Sequence, residues 1–207
     1  MITNQIPSHD TLSYDPAVPR ELVQGRIVWR NLFGNDAPVE VDVGCGKGRF
    51  LIEAASRNPD RNYLGVEKNG RPFYLARERV GKRSLRNVRV LRDDAHRFVA
   101  ECVPDDSVAT YHVYFPDPWP KKKHHKRRLF TPSFVAELAR TLATDGILRI
   151  ATDIADYFEE ILLLIEGEPR FVLVKEGRYE EDTYLTNFAA KYRQQGREML
   201  QAVFRIR

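Results

Sequence analysis

From Pro38 onward, strand-length apolar runs alternate with segments of helical periodicity. The runs fall at 39–43, 62–66, 87–91, 108–115, 146–151 and 170–175, the helical segments at 48–57, 71–81, 95–101, 132–143 and 154–166, and a last run spans 200–206. Such alternation returns each strand to one sheet through right-handed crossovers, which predicts a mainly parallel, doubly wound α/β sheet with helices on both faces. Pro132 marks the first turn of its helix. The last two runs are separated by the charged, aromatic stretch 176–199, helical around 185–195. They are therefore expected to form a hairpin-like pair carrying an insertion, with one strand antiparallel to the rest. The first 36 residues hold three prolines and no sustained period. They predict an irregular, partly mobile arm (1–36) with a short helix around 20–32, ahead of a single domain at 37–207. A chain of 207 residues with 43% hydrophobic content supports one such core.

In open α/β sheets ligands sit outside the carboxyl ends of the strands, and an acid stands at each of the first four. Asp42 lies in "VDVGCGKG", Glu67 follows "YLGV", Asp94 follows "VRVLRD" and Asp117 follows "YHVYFP", at intervals of 25, 27 and 23 residues. The spacing is that of one strand–helix repeat, roughly 30 residues. Any one acid is also a plausible helix cap, and for Asp94 that reading stands beside the functional one.

The glycines separate two classes of cofactor. A dinucleotide fingerprint, G-x-G-x-x-G, needs a third glycine at position 49, which is Arg49; the glycines are Gly44, Gly46 and Gly48. A loop flanked by Asp42 and Asp94 is also a poor host for a doubly anionic pyrophosphate. S-adenosylmethionine carries no phosphate but has a sulfonium and an ammonium. The expected roles are Asp42 and the glycine loop at its amino-acid end, Glu67 on the ribose hydroxyls and Asp94 at the adenine amine. The reversed strand agrees, since the methyltransferase fold is a doubly wound sheet with a seventh strand inserted in reverse.

Charge is concentrated rather than spread. The net value is +4, yet "KKKHHKRR" at 121–128 contributes six formal positives and leaves the remainder slightly acidic. A cluster of that kind is the footprint of a protein that meets phosphate backbone, although a solvated basic loop gives the same composition. Pro116 and Pro118 stiffen the loop around Asp117, and Trp119 adds a flat surface beside it. His124 and His125 lack a further clustered ligand, so no metal site is expected. Cys45 and Cys102, 57 residues apart, suggest neither a disulfide framework nor zinc and fit a reducing cytoplasm. The N-terminus lacks a signal-peptide pattern and the aliphatic run 161–165 is too short to span a bilayer, so no membrane association is expected.

"FPDPWPKKKHHKRR", with "VDVGCGKG", "GVEKN" and "ATDIADY", closely resembles the bacterial tRNA (guanine-N7)-methyltransferases over about residues 39–195. The resemblance implies a class I S-adenosylmethionine-dependent methyltransferase fold, Rossmann-like, with a mostly parallel seven-stranded sheet and one antiparallel strand. It implies tRNA as partner and methyl transfer to guanine N7, at position 46 of the variable loop. By motif, Asp42, Glu67, Asp94 and Asp117 match cofactor positions, with Asp117 also catalytic. Lys121 and Asp153 match substrate positions, as do Thr186, Phe188 and position 189. The family's last motif ends in Glu; here that place is Ala189. Lys122, Lys123, Lys126, Arg127 and Arg128 are expected on the RNA backbone, and Trp119, Tyr184 and Phe188 are candidate stacking surfaces.

Guanine N7 already exposes a lone pair, so the reaction needs in-line positioning and tolerance of a moving positive charge rather than a strong base. Asp153 is expected at the guanine N1 and N2 donors and Asp117 beside the developing cation. Two rivals remain. An amino-group methyltransferase would show two prolines after the acid of the fourth strand, where this chain has one, and a non-catalytic RNA binder would tolerate Ala189.

Overall fold

A computed structural model of the chain describes residues 14–179, 189, 192 and 194–207. Seven strands, β1 (Val39–Val43), β2 (Asn62–Val66), β3 (Val88–Leu91), β4 (Val108–Tyr114), β5 (Leu142–Thr152), β6 (Phe171–Arg178) and β7 (Leu200–Ile206), form one sheet in the order β3-β2-β1-β4-β5-β7-β6. Strands β1 to β5 pair in parallel, whereas β7 runs antiparallel to both β5 and β6. The expected class I methyltransferase sheet is therefore present, and the reversed strand is β7. The topology turns back between β1 and β4, which opens the crevice where this class of sheet holds its ligand.

Helices α2 (Arg49–Arg57) and α3 (Gly70–Lys82) cover β1 to β3 on one face. In α2, Phe50, Leu51, Ala54 and Ala55 are buried on a single stripe, and each large side chain so buried contributes about 1.5–3 kcal/mol. The opposite face carries the larger core under α1 (Trp29–Phe33), α4 (Ala95–Arg97), α5 (Pro132–Thr141) and α6 (Ala155–Glu166). Thr131 starts α5 by accepting the Phe134 N–H at 3.2 Å, with Pro132 behind it.

Within the sheet and its crossovers, the segment 95–101 and strands β5 and β6 depart from the sequence expectation. The helix expected at 95–101 is one α turn followed by a π turn, Phe98–Cys102, closed by Val103 N–H donating to the Phe98 carbonyl at 3.2 Å. The wider turn brings Phe98, Val99 and Cys102 together on the core side. Strand β5 begins directly after α5 but bulges, so that Val108 pairs with Leu142 and Thr110 with Ile147, with Asp145 at φ 60° between them. The regular ladder thus starts close to the expected 146. Strand β6 continues to Arg178 because β7 supplies partners that far.

Part of the N-terminal segment is packed. Val18 N–H donates to Val90 O and Val90 N–H to Pro16 O, both at 2.9 Å, at the β3 edge. A 3₁₀ turn, Arg20–Val23, and α1 replace the expected short helix, and Val23, Ile27, Leu32 and Phe33 enter the larger core. Among the described residues, no helix is long and apolar enough to cross a membrane.

Candidate active site

The chain leaves β1 through a loop in which Gly44, Gly46 and Gly48 all have positive φ, 78°, 55° and 72°. Its two ends are fastened differently. Gly44 and Cys45 donate to the Val66 carbonyl at 2.8 and 3.2 Å, which ties the loop to β2. Open space surrounds the missing side chain of Gly44 and a Cβ at Gly46 would meet only the Gly44 carbonyl oxygen, at 3.9 Å, whereas a Cβ at Gly48 would lie 3.1 Å from that of Ala76. Gly44 and Gly46 therefore leave room for a ligand. Gly48, expected beside them, lets α2 pack against α3 instead.

Glu67 connects this loop to the next. One carboxylate oxygen accepts the Gly46 N–H at 3.0 Å and the other the Asn69 N–H at 2.7 Å. Asp42 lies behind, 4% exposed. Burial pushes its carboxyl up to about 8, and the nearby Glu67 charge adds to the effect. Two adjacent buried acids form a site that favours a positively charged ligand. A doubly anionic pyrophosphate fits poorly there, and the ammonium and sulfonium of S-adenosylmethionine fit well. Among the described residues, no group of His, Cys, Asp and Glu is arranged to hold a metal ion.

Asp94 realises the cap reading. Its Oδ1 accepts the His96 and Arg97 N–H groups at 3.0 and 3.3 Å, and Lys68 Nζ holds Oδ2 at 2.8 Å. Burial works to raise its carboxyl, but the Lys68 and backbone hydrogen bonds outweigh burial and hold it low. An acid committed in this way offers an adenine amine only the oxygen it shares with an exposed lysine.

The loop after β4 is strained on both sides of Asp117. Phe115 has φ 54° and Trp119 φ 43°, conformations that cost about 1–3 kcal/mol each. Anchors offset that cost. Phe115 N–H donates to the Ala151 carbonyl at 2.7 Å, and Arg128 Nε donates to the Pro118 carbonyl at 2.9 Å. The Arg128 guanidinium also pairs with Glu160 and lies 4.6 Å from the Tyr157 ring centre. Asp117 itself is exposed.

Arg128, expected with the RNA-backbone cations, is 7% exposed, with its guanidinium on the Pro118 carbonyl and Glu160, so it fixes the loop. Lys121, Lys122, Lys123, Lys126 and Arg127 are exposed around a 3₁₀ helix, Lys122–Arg127. The Arg127 guanidinium lies 5.0 Å from the Trp119 ring centre and His124 meets that ring edge-on, so Trp119 already has two ring-face and edge partners.

Asp153 follows the end of β5 with its side chain 7% exposed, and Arg197 donates to its Oδ2 at 2.8 Å. The same guanidinium lies 4.8 Å from the ring centre of Tyr192, which packs on Phe115 at 5.5 Å. Burial raises the Tyr192 phenol, and the carboxylates of Asp153 and Asp117 both add to that shift. Asp153, the expected substrate acid, and the Tyr192 ring thus share the Arg197 guanidinium. Tyr192, Phe115 and Arg197 are not among the site residues that the sequence singles out, although Tyr192 falls within the stretch that resembles the family.

Ala189, expected at the substrate, is fully buried in the core shared with Phe50, Tyr63 and Phe73. A carboxylate there would need a buried partner. Thr186, Phe188, Tyr184 and Lys191 lie outside the described residues.

A cavity of about 580 Å³ lies elsewhere, over the middle of β4, β5 and β7, lined by Glu40, Arg61, His112, Arg149 and Gln201 among others. At its floor the His112 ring bridges Glu40 at 2.7 Å and the Tyr114 hydroxyl at 2.9 Å, and Arg61 holds the other Glu40 oxygen at 2.8 Å. Burial keeps His112 below its ordinary value, hence neutral at pH 7. This network braces β1 against β4 at a distance from the strand ends.

Residues 36–206 match a family model described as a putative methyltransferase. A tRNA (guanine-N(7)-)-methyltransferase of Leifsonia xyli is 41% identical over 159 residues, covering 77% of this chain and 70% of that protein. One from Chromohalobacter salexigens is 41% identical over 157 residues, 75% of this chain and 63% of that protein. The chain spans about three fifths of the length of the first curated relatives it matches. Among solved structures, an antibiotic-related methyltransferase superposes with a TM-score of 0.65 at 14% identity, covering 86% of this chain and 92% of that one. At that identity the likeness is one of fold.

Proposed function

The chain belongs to the tRNA (guanine-N7)-methyltransferase family, and on that premise we propose that it transfers a methyl group from S-adenosylmethionine to N7 of a guanine in tRNA, guanine 46 of the variable loop. The observation that carries this reading is a glycine loop with open space at Gly44, held by Glu67 and backed by the buried Asp42, at the strand ends where Asp153 also stands. S-adenosylmethionine supplies the electrophilic methyl. Asp42 faces its ammonium, the open space at Gly44 and Gly46 admits its amino-acid end, and Glu67 holds the loop in shape while offering its remaining lone pairs to the ribose.

Asp153 accepts from the N1–H and N2–H edge of the base, a pairing that adenine cannot reproduce. Asp117, held on its strained loop, faces the charge that passes to the purine, so the loop's rigidity spares reorganisation when charge develops. Lys122, Lys123, Lys126 and Arg127 hold backbone phosphates, and Lys121 stands between them and the base. The two free cysteines, both buried, suit a cytoplasmic enzyme. An unmodified tRNA transcript treated with protein and cofactor, then with borohydride and aniline, tests the site: scission at position 46 is expected, and none from a transcript carrying adenine there. Scission at another guanine would refute the assignment of position.

A further inference from the structure

We propose that Arg197 acts as a placeholder in the guanine seat, occupying Asp153 and Tyr192 until the target base displaces it. The inference rests on the reading of Asp153 as the acceptor for the guanine edge. A guanidinium and a guanine share the relevant chemistry. Each is planar, presents two N–H donors on one edge and offers a flat π face. Arg197 uses these properties as a base would: its edge meets the Asp153 carboxylate at 2.8 Å while its centre lies 4.8 Å from the Tyr192 ring centre. The seat beneath is firm, since the Asp153 side chain is 7% exposed and Tyr192 packs on Phe115.

Arg197 is also placed to leave. Its side chain is 51% exposed. Its backbone N–H is anchored on the Tyr192 carbonyl at 3.0 Å, next to Gly196 at φ 64°. The long stem can therefore swing out by rotamer changes alone, without moving the turn that carries it. Pairing also spares a nearly buried carboxylate the cost of standing alone before RNA binds.

The exchange costs every base the same, and Asp153 decides which base recovers that cost. A base recovers what is lost when Arg197 leaves only if it brings two donors on one edge, which guanine does. Adenine presents an acceptor at N1, so it would leave Asp153 facing a lone pair. The placeholder thus lowers affinity for every base by the same factor, while the discrimination between them comes from Asp153.

The test is steady-state kinetics on an unmodified tRNA transcript, with melting temperatures to confirm folding. Arg197→Gln should lower the KM for tRNA about 3- to 10-fold, the factor by which a seat closed most of the time reduces apparent affinity, with kcat changed less. Arg197→Lys, which keeps charge but loses the planar fork, should fall between the two. In an Asp153→Asn background Arg197→Gln should give no gain. An unchanged or raised KM in Arg197→Gln, with Asp153→Asn impaired, would overturn the placeholder and leave the guanine-edge reading standing. Normal turnover in Asp153→Asn alone would remove that reading and the placeholder with it.

Discussion

Asp42→Asn should stabilise the protein and damage its function at once. The carboxyl is lifted from 3.8 to about 8 by burial and by Glu67, so between those values the folded chain holds a proton that the unfolded chain has released. The stability this group contributes is therefore fully present below pH 4 and is lost progressively as pH rises to 8. A shift of about four units corresponds to a ceiling of roughly 5 kcal/mol. Side-chain relaxation and water at the adjacent loop bring the expected cost to about 2–3 kcal/mol. An asparagine carries no such cost. In a chain of this length each kcal/mol moves the melting temperature by about 2–4 °C, so the variant should melt about 5–10 °C higher at pH 8.5, with a much smaller gain at pH 5. Calorimetric titration should show S-adenosylmethionine binding weakened about tenfold or more, because the ammonium loses its counter-ion. A gain independent of pH, or a variant less stable at pH 8.5, would refute the argument.

The basic run divides into two kinds of residue. Replacing Lys126 and Arg127 by Gln should weaken tRNA binding and flatten its salt dependence by roughly 0.7–0.9 in log–log slope per lost phosphate contact, with melting unchanged; an unaltered slope would place them off the RNA. Arg128→Met should instead lower the melting temperature, by the equivalent of about 2–4 kcal/mol, because it leaves the Pro118 carbonyl and Glu160 unpaired. Normal stability in that variant would contradict the anchoring role. Glu40 is held low by His112 and Arg61 against the opposing effect of burial, so the stability it contributes is present above its ordinary value and is lost as pH falls through the lowered one. Glu40→Gln should cost about 2–3 kcal/mol at pH 7 in a denaturant titration, and an equal loss at pH 3 would show that the charge is not responsible.

The alternation of strands and helices was legible because each strand of a parallel sheet is a short apolar run and each crossover helix has its own period. β1, β2 and β7 fall where the sequence places them. The bulge in β5 was not, since it depends on Asp145 accepting φ 60° beside Gly146, a tertiary outcome. The acids at the strand ends could be found, but not what occupies them: nothing local says that Asp94 spends its oxygens on a helix N-terminus and Lys68. Arg128 shows the limit of reading charge in one dimension. It sits in a run of exposed cations, yet a 3₁₀ helix turns it inward onto Tyr157 and Glu160. Arg197 gave no signal at all, because its meaning comes from contact with Asp153, 44 residues away in sequence.

The most direct test of the central claim is the identity of the product. Purified protein is incubated with an unmodified tRNA transcript and S-adenosylmethionine labelled in its methyl group, and the RNA is digested to nucleosides and separated. The label is expected to elute as 7-methylguanosine and to disappear in Asp117→Ala. Label on an exocyclic amine would contradict the N7 chemistry, and no label in RNA from a folded, cofactor-binding protein would contradict the assignment of an enzyme.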